Sequence, residues 1–203
     1  MPFTAYKKMG MVLKQFQISY HEENYVVVTP VTFSDYFQSE LNLVRTELVI
    51  DNSEYAVCEN LIYPLLKEIW KLHKEQLMLW SHEPLNYDED LSGVPDYLIA
   101  PKSPLGKLVL EPPYLMVAEA KKDNFTEGWG QCLAELVAAQ KLSGNHLEQT
   151  LFGIVSNGEI WEFGKLVGQH FTKNSDSYVI KELDQLGGVL NYLFEQCKLQ
   201  FIN

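Results

Sequence analysis

The chain is short of cysteine, short of basic residues relative to its acids, and without any long apolar run. Its three cysteines, Cys58, Cys132 and Cys197, are widely spaced and odd in number, which argues against a disulfide framework or a zinc site. They read as buried free thiols in a reducing compartment. Lysine and arginine total 16 against 27 acids, a net charge of −11. That balance argues against broad non-specific binding to nucleic acid, which works by neutralising phosphates, although it leaves room for a local basic groove. No apolar run approaches the length needed to cross a bilayer, so no membrane partner is expected. The opening residues M-P-F-T-A-Y-K-K lack the apolar centre of a signal peptide. A cytoplasmic location is expected on these grounds.

Several chemistries lack their usual residues. The five histidines, His21, His73, His82, His146 and His170, show no metal-binding pairing and read as structural. The chain has no G-x-S-x-G elbow, no phosphate-cradling G-x-x-x-x-G-K-[ST] loop and no dinucleotide fingerprint. Cys58 has no obvious base partner. Internal repeats and low-complexity segments are also missing.

What is present suits one folded unit over residues 1–203. A hydrophobic content of 46% is ample for a packed core, and 203 residues fit one domain or one domain with an added layer. Tyr25 to Thr29 (Y-V-V-V-T) reads as a β-branched strand, and Phe33 to Leu43 as a short helix. Asp51-Asn52-Ser53 signals the start of a helix from about Glu54 to Lys74, with Cys58, Leu61, Ile62, Leu65 and Ile69 at helical spacing. Pro64 is expected to bend that helix or to open a second segment. Strands are expected at Gln76 to Ser81, Val94 to Ala100 and Tyr114 to Lys121, with a proline-rich loop from Pro101 to Pro113. Asp123 or Thr126 is expected to cap a helix from about Glu127 to Leu142. Asn157-Gly158 marks a hairpin between Leu151–Val155 and Ile160–Phe163. Phe171 to Thr172 and Tyr178 to Ile180 read as edge strands. Leu183 to Leu199 reads as a closing helix weakened by Gly187-Gly188. The sum is a mixed sheet with helices packed on it.

The chemically telling residues lie between Val94 and Gln131. The run V-P-D-Y-L-I-A carries Asp96 at its start, and Y-L-M-V-A-E-A-K-K carries Glu119 and Lys121 at its end. Strand alternation puts Glu119 and Lys121 on one face with Ala120 opposite. Carboxylates brought together on neighbouring strands repel unless a cation sits between them, and a hard divalent ion is the simplest such cation.

Pro95-Asp96, followed after a loop by Glu119-Ala120-Lys121, resembles the signature of the PD-(D/E)XK nucleases, the restriction-endonuclease-like superfamily. The layout is most similar to the nuclease domains of type I restriction subunits and their stand-alone relatives. The resemblance covers about residues 53–165 and leaves 1–50 and 166–203 as additions to that core. It implies an α/β fold with a restriction-endonuclease-like mixed central sheet flanked by helices. It implies that Asp96 and Glu119 bind Mg²⁺ or Mn²⁺, with the Ala120 carbonyl as a third ligand. Lys121 would orient or activate the attacking water and stabilise phosphate charge. An acid on the first helix would also face the metal; helical phase favours Glu54 over Glu59. Gln131 resembles a helix glutamine that positions substrate or Lys121. The expected partner is nucleic acid, DNA before RNA, cut by metal-assisted hydrolysis of phosphodiester bonds.

Each residue also has a plainer reading. Asp96 after proline could simply start a strand. Glu119 and Lys121 could form an edge ion pair worth little, Glu54 could only interact with a helix dipole, and Gln131 could be structural. The alternative function is a non-catalytic module that keeps the fold and serves as a protein-interaction or homodimerisation domain. The acidic balance and 12% aromatic content favour that alternative.

Overall fold

Local signals decide where the first elements begin and end. The computed structural model describes residues 2–144 and 148–201, so His146 lies outside the described residues. Helix α1 (Met9–Phe16) stops at Gln17, which adopts a left-handed conformation at φ 54°. Strand β1 (Ser19–Glu23) follows. Helix α2 (Asp35–Glu47) is capped by Ser34, whose side chain accepts from the Phe37 amide. Helix α3 (Glu54–Val57) is capped in the same way by Ser53, through the Ala56 amide. These hydroxyl caps satisfy amides that a first helical turn leaves without partners.

The helix expected from Glu54 to Lys74 is in fact two segments. A wide π-helical turn, Cys58–Ile62, separates α3 from α4 (Tyr63–His73). Pro64 is the cause: it has no N–H to donate, and its ring crowds the carbonyl four residues back. Widening the preceding turn relieves both problems. The Asn60 side chain fills part of the gap by donating to the Ala56 carbonyl at 2.9 Å.

Strand β2 (Leu77–Ser81) leads through a small hairpin, β3 (Leu85–Asn86) and β4 (Ser92–Gly93), into β5 (Tyr97–Pro101) and then β6 (Met116–Ala120). Helix α5 (Phe125–Leu142) is capped by Asn124, whose oxygen accepts from the Glu127 amide at 3.1 Å. The cap is therefore neither Asp123 nor Thr126, because a cap must bond the amide two or three places on. The remaining elements are β7 (Thr150–Ser156), β8 (Ile160–Val167), β9 (His170–Asn174), β10 (Tyr178–Val179) and α6 (Leu183–Leu199).

Among the described residues eight strands form one mixed sheet in the order β1-β9-β8-β7-β6-β5-β2, with β10 on β8, and β3 and β4 pair separately. The β6–β7 and β1–β9 pairs are parallel, and the others are antiparallel. Successive residues of β5 and β6 split between two cores. Tyr97, Ile99, Met116 and Ala118 pack on the side of α4 and α6. Leu98 and Val117 pack on the side of α1 and α5. Helices thus cover both faces.

Three expectations are corrected. Tyr25 to Thr29 forms no strand. The Tyr25 and Val26 amides donate instead to the Asn174 side chain, at 3.1 and 3.3 Å, so a side chain takes the place of a ladder. This segment crosses α6 where Gly187 and Gly188 permit it: a Cβ on Gly188 would lie 2.5 Å from the Thr29 carbonyl oxygen. The paired glycines therefore mark a chain crossing. Finally, β9 is not an edge, because β1 pairs with it and takes the outer position.

The N-terminal segment presses directly on α5. A Cβ on Gly130 would stand 2.2 Å from the Tyr6 carbonyl oxygen, far inside contact distance. Gly130→Ala should therefore destabilise the fold by about 1–3 kcal/mol, the usual cost of overpacking. Urea unfolding should show a lower midpoint with an unchanged slope. An unchanged midpoint would mean that this segment does not sit on α5 in solution.

Candidate active site

The sheet brings one acidic cluster together at the carboxyl end of β6. Asp96 immediately precedes β5, Glu119 is the penultimate residue of β6, and Lys121 follows that strand. The Lys121 Nζ stands 3.0 Å from Glu119 Oε1 and 3.6 Å from Glu54 Oε2. Asp96 Oδ2 accepts the Ala120 amide at 2.7 Å. Glu54, at the first position of α3, also accepts weakly from the Lys122 amide at 3.4 Å. Asp96, Glu119, Ala120, Lys121 and Glu54 therefore share one site. Glu59 instead faces a neighbouring cavity. Glu54 lies at the solvent-exposed mouth rather than in the core.

Gln131 is carried by α5 and is buried, and its amide oxygen has no hydrogen-bond partner. A role toward substrate or Lys121 stays an expectation. Just before it, Gly128 explains the glycine in G-W-G-Q. A Cβ there would meet Val155 at 2.6 Å and the Lys121 stem at 2.9 Å, so glycine makes room for the lysine.

Two further residues belong to the cluster. Glu135, one helical turn beyond Gln131, is buried and hydrogen-bonds the Glu119 carboxyl. Its signal in the sequence is slight: an acid inside the apolar run from Cys132 to Ala139, four places from Gln131 and so on the same helix face. His82, read above as structural like the other histidines, lies with Nε2 3.5 Å from Asp96 Oδ1. Its main-chain amide donates to the Asp96 carbonyl at 3.0 Å, and its Nδ1 lies 2.8 Å from Ser81 Oγ. Nothing in the local sequence ties it to Asp96, because the link runs across the β2–β5 pair.

Burial sets the electrostatics. It raises the Asp96 carboxyl above its ordinary value, against the pull of the Ala120 amide and Lys121. Burial, with the Asp96 charge second, pushes Glu119 up to about 7. The same two influences, burial and then the Glu119 and Asp96 charges, raise Glu135 well above the usual carboxyl range. Two buried carboxyls in contact share a proton, and here Glu135 donates it to Glu119. Burial alone would lower Lys121, but Glu119, Glu54 and Asp96 outweigh it and hold the ammonium above its usual range. Burial pushes the Cys58 thiol up to about 12, which removes it as a nucleophile near neutrality. Among the described residues, no three His, Cys, Asp or Glu side chains are grouped to hold a metal ion by themselves.

No protein-family model matches this chain, and no curated protein matches it. Among solved structures, the type IIG restriction endonuclease BpuSI is similar to it at 16% identity, with a TM-score of 0.42. The likeness covers 75% of this chain and 17% of that one. The chain thus spans a small part of that protein's length.

The shared proton has a measurable consequence in metal-free protein. Unfolded, a glutamate releases its proton near 4.5; folded, both members of the pair release theirs at higher pH, Glu119 at about 7 and Glu135 also well above the usual range. Between those values the folded state binds more protons, so stability is greatest on the acid side and declines as pH rises. Each pKa unit corresponds to about 1.36 kcal/mol. Glu135→Gln keeps a donor for Glu119 but removes the second acid, so the decline should flatten. Urea titrations in chelator at several pH values between about 5 and 8 check this. An unaltered slope would place the proton elsewhere.

Proposed function

We propose that this chain is a divalent-metal-dependent nuclease that hydrolyses phosphodiester bonds of DNA on a restriction-endonuclease-like core. One observation carries the reading: Asp96, Glu119 and Lys121 converge at the end of β6, with Lys121 Nζ 3.0 Å from Glu119. The order of elements supports it. Helix α4, the antiparallel strands β2, β5 and β6, helix α5 and the parallel strand β7 follow the layout implied by the PD-(D/E)XK resemblance.

The residues present suit Mg²⁺ or Mn²⁺. Asp96 and Glu119 are hard oxygen donors whose raised pKa values a nearby cation would reverse. The Ala120 amide faces Asp96. In an extended strand, the carbonyl of the same residue faces the same neighbour, so Ala120 can present its oxygen there. Glu54 approaches from the mouth of the site. Mg²⁺ commonly takes only one or two carboxylates and fills its shell with water and phosphate, so a donor set with fewer than three grouped acids is sufficient. When bound, the ion lowers the pKa of water and neutralises phosphate charge. Lys121 would orient the attacking water and stabilise a phosphate oxygen from its place beside Glu119. The Gln131 oxygen is available to accept a hydrogen bond from that water or from Lys121.

A second reading has its own support. Glu119 and the Lys121 side chain are only 6% and 13% exposed, and the acids around the site outnumber its bases. A closed, acid-rich pocket suits a non-catalytic module that binds a protein partner or a second copy of itself.

The test is nicking of supercoiled DNA in Mg²⁺, Mn²⁺ or chelator. The wild type should cut only with metal, and Lys121→Ala or Asp96→Asn should slow cutting roughly 10²-fold or more. Ca²⁺ should raise the Tm of the wild type but not of Asp96→Asn. Full activity in Lys121→Ala would overturn the assignment. A protein that fails to cut and behaves as a dimer would support the second reading.

A further inference from the structure

Beside the acidic cluster lies a cavity that the nuclease reading leaves unused. Its volume is 420 Å³, and its walls include Tyr55, Tyr63, Tyr97, Glu59, Ser81 and His82. Aromatic rings dominate it. Tyr63 and Tyr97 stack at 5.9 Å between centroids, and His82 meets Tyr97 edge-on at 6.0 Å. The rings do not serve the core alone, because Tyr55 is 73% exposed and Tyr63 is 37% exposed. Tyr63 has Tyr97 on one side and the Lys67 ammonium 5.5 Å from its ring centre, so Tyr55 offers the open aromatic face of the concavity.

His82 ties this cavity to the cluster. Its backbone is in the left-handed region at φ +56°, which is uncommon for a residue other than glycine. Its amide bonds the Asp96 carbonyl, and its ring lies 3.5 Å from the Asp96 carboxylate. The same ring forms part of the cavity wall. Strain of this kind persists where the surroundings hold a residue in place, and it gathers at ligand sites. The residue that positions Asp96 therefore also shapes the cavity.

We propose that this cavity is a base-binding subsite that receives one unpaired nucleobase of a single-stranded DNA substrate. The base stacks on Tyr55 and rests against the edge of the Tyr63–Tyr97 pair, and its phosphate reaches the Asp96–Lys121 cluster past His82. The charges favour this direction. Glu59 lines the cavity; its carboxylate repels phosphate but accepts from the ring or exocyclic N–H of a base, and Lys67, paired with the Tyr63 ring, is the cation on this side. The cation beside the candidate reaction centre is Lys121, so the phosphate belongs there. Stacking on aromatic faces is how single strands are held without sequence readout. The inference rests on the nuclease reading for the fate of the phosphate, but the base subsite can be measured separately.

The experiment is fluorescence anisotropy with a labelled 12-nucleotide single strand in Ca²⁺, beside the same strand made of abasic sites, together with cleavage in Mg²⁺. Because Tyr55 and Tyr63 are exposed, Tyr55→Ala/Tyr63→Ala should fold, and its thermal unfolding is the control. The wild type should bind the strand with bases at least about tenfold tighter than the abasic strand. The double variant should lose that difference, and Tyr55→Phe, which keeps the ring, should retain it. Equal affinity for both strands, or a double variant indistinguishable from the wild type, would overturn the subsite even if Lys121-dependent cutting is observed. Base-dependent binding without any cutting would uphold the subsite and refute the nuclease reading. If the double variant fails to fold, Tyr55→Ala alone decides the matter on the same criterion.

Discussion

Everything at the end of β6 is organised around the Lys121 ammonium, whose side chain is 13% exposed. Lys121 has carboxylates on two sides, Glu119 at 3.0 Å and Glu54 at 3.6 Å, with Asp96 also close enough to raise its pKa. Removing one partner from such a group leaves a buried charge uncompensated, which costs far more than the pair itself contributes. Glu135 completes the balance by supplying a proton in place of a second cation. Lys121 and protons thus offset the crowded carboxylates, and the proposed nuclease reading would have a metal ion take over part of that task.

Helix α5 supplies the other half of that arrangement. It is buried along most of its length and touches the site through Gly128 and Glu135. Gly128 lets the Lys121 stem pass, while Gly130 admits the N-terminal backbone on another side. The same stretch of helix thus positions the site and anchors the backbone from Tyr6 to Lys8. A packing change on one side of the helix is felt on the other, because close-packed interiors transmit strain.

Much of this was legible in the sequence, for identifiable reasons. Period-two alternation placed Glu119 and Lys121 together, and the structure has them paired. Ser53 marked the start of α3, and the closing helix from Leu183 to Leu199 was found at its full extent. The misses share a cause: they depend on partners distant in the chain. Tyr25 to Thr29 has strand composition, but Asn174, some 150 places on, takes its amides. His82 reached Asp96 only once β2 paired with β5, and Glu135 met Glu119 only once α5 lay on the sheet.

The π-helical turn has a meaning that emerges from counting. It adds one residue to the turn ahead of Pro64, so α3 stands about 100° round from where an unbroken α-helix would carry it. Deleting one residue from Cys58–Ile62 would even out the winding and swing Glu54 and Tyr55 away from the places they now hold.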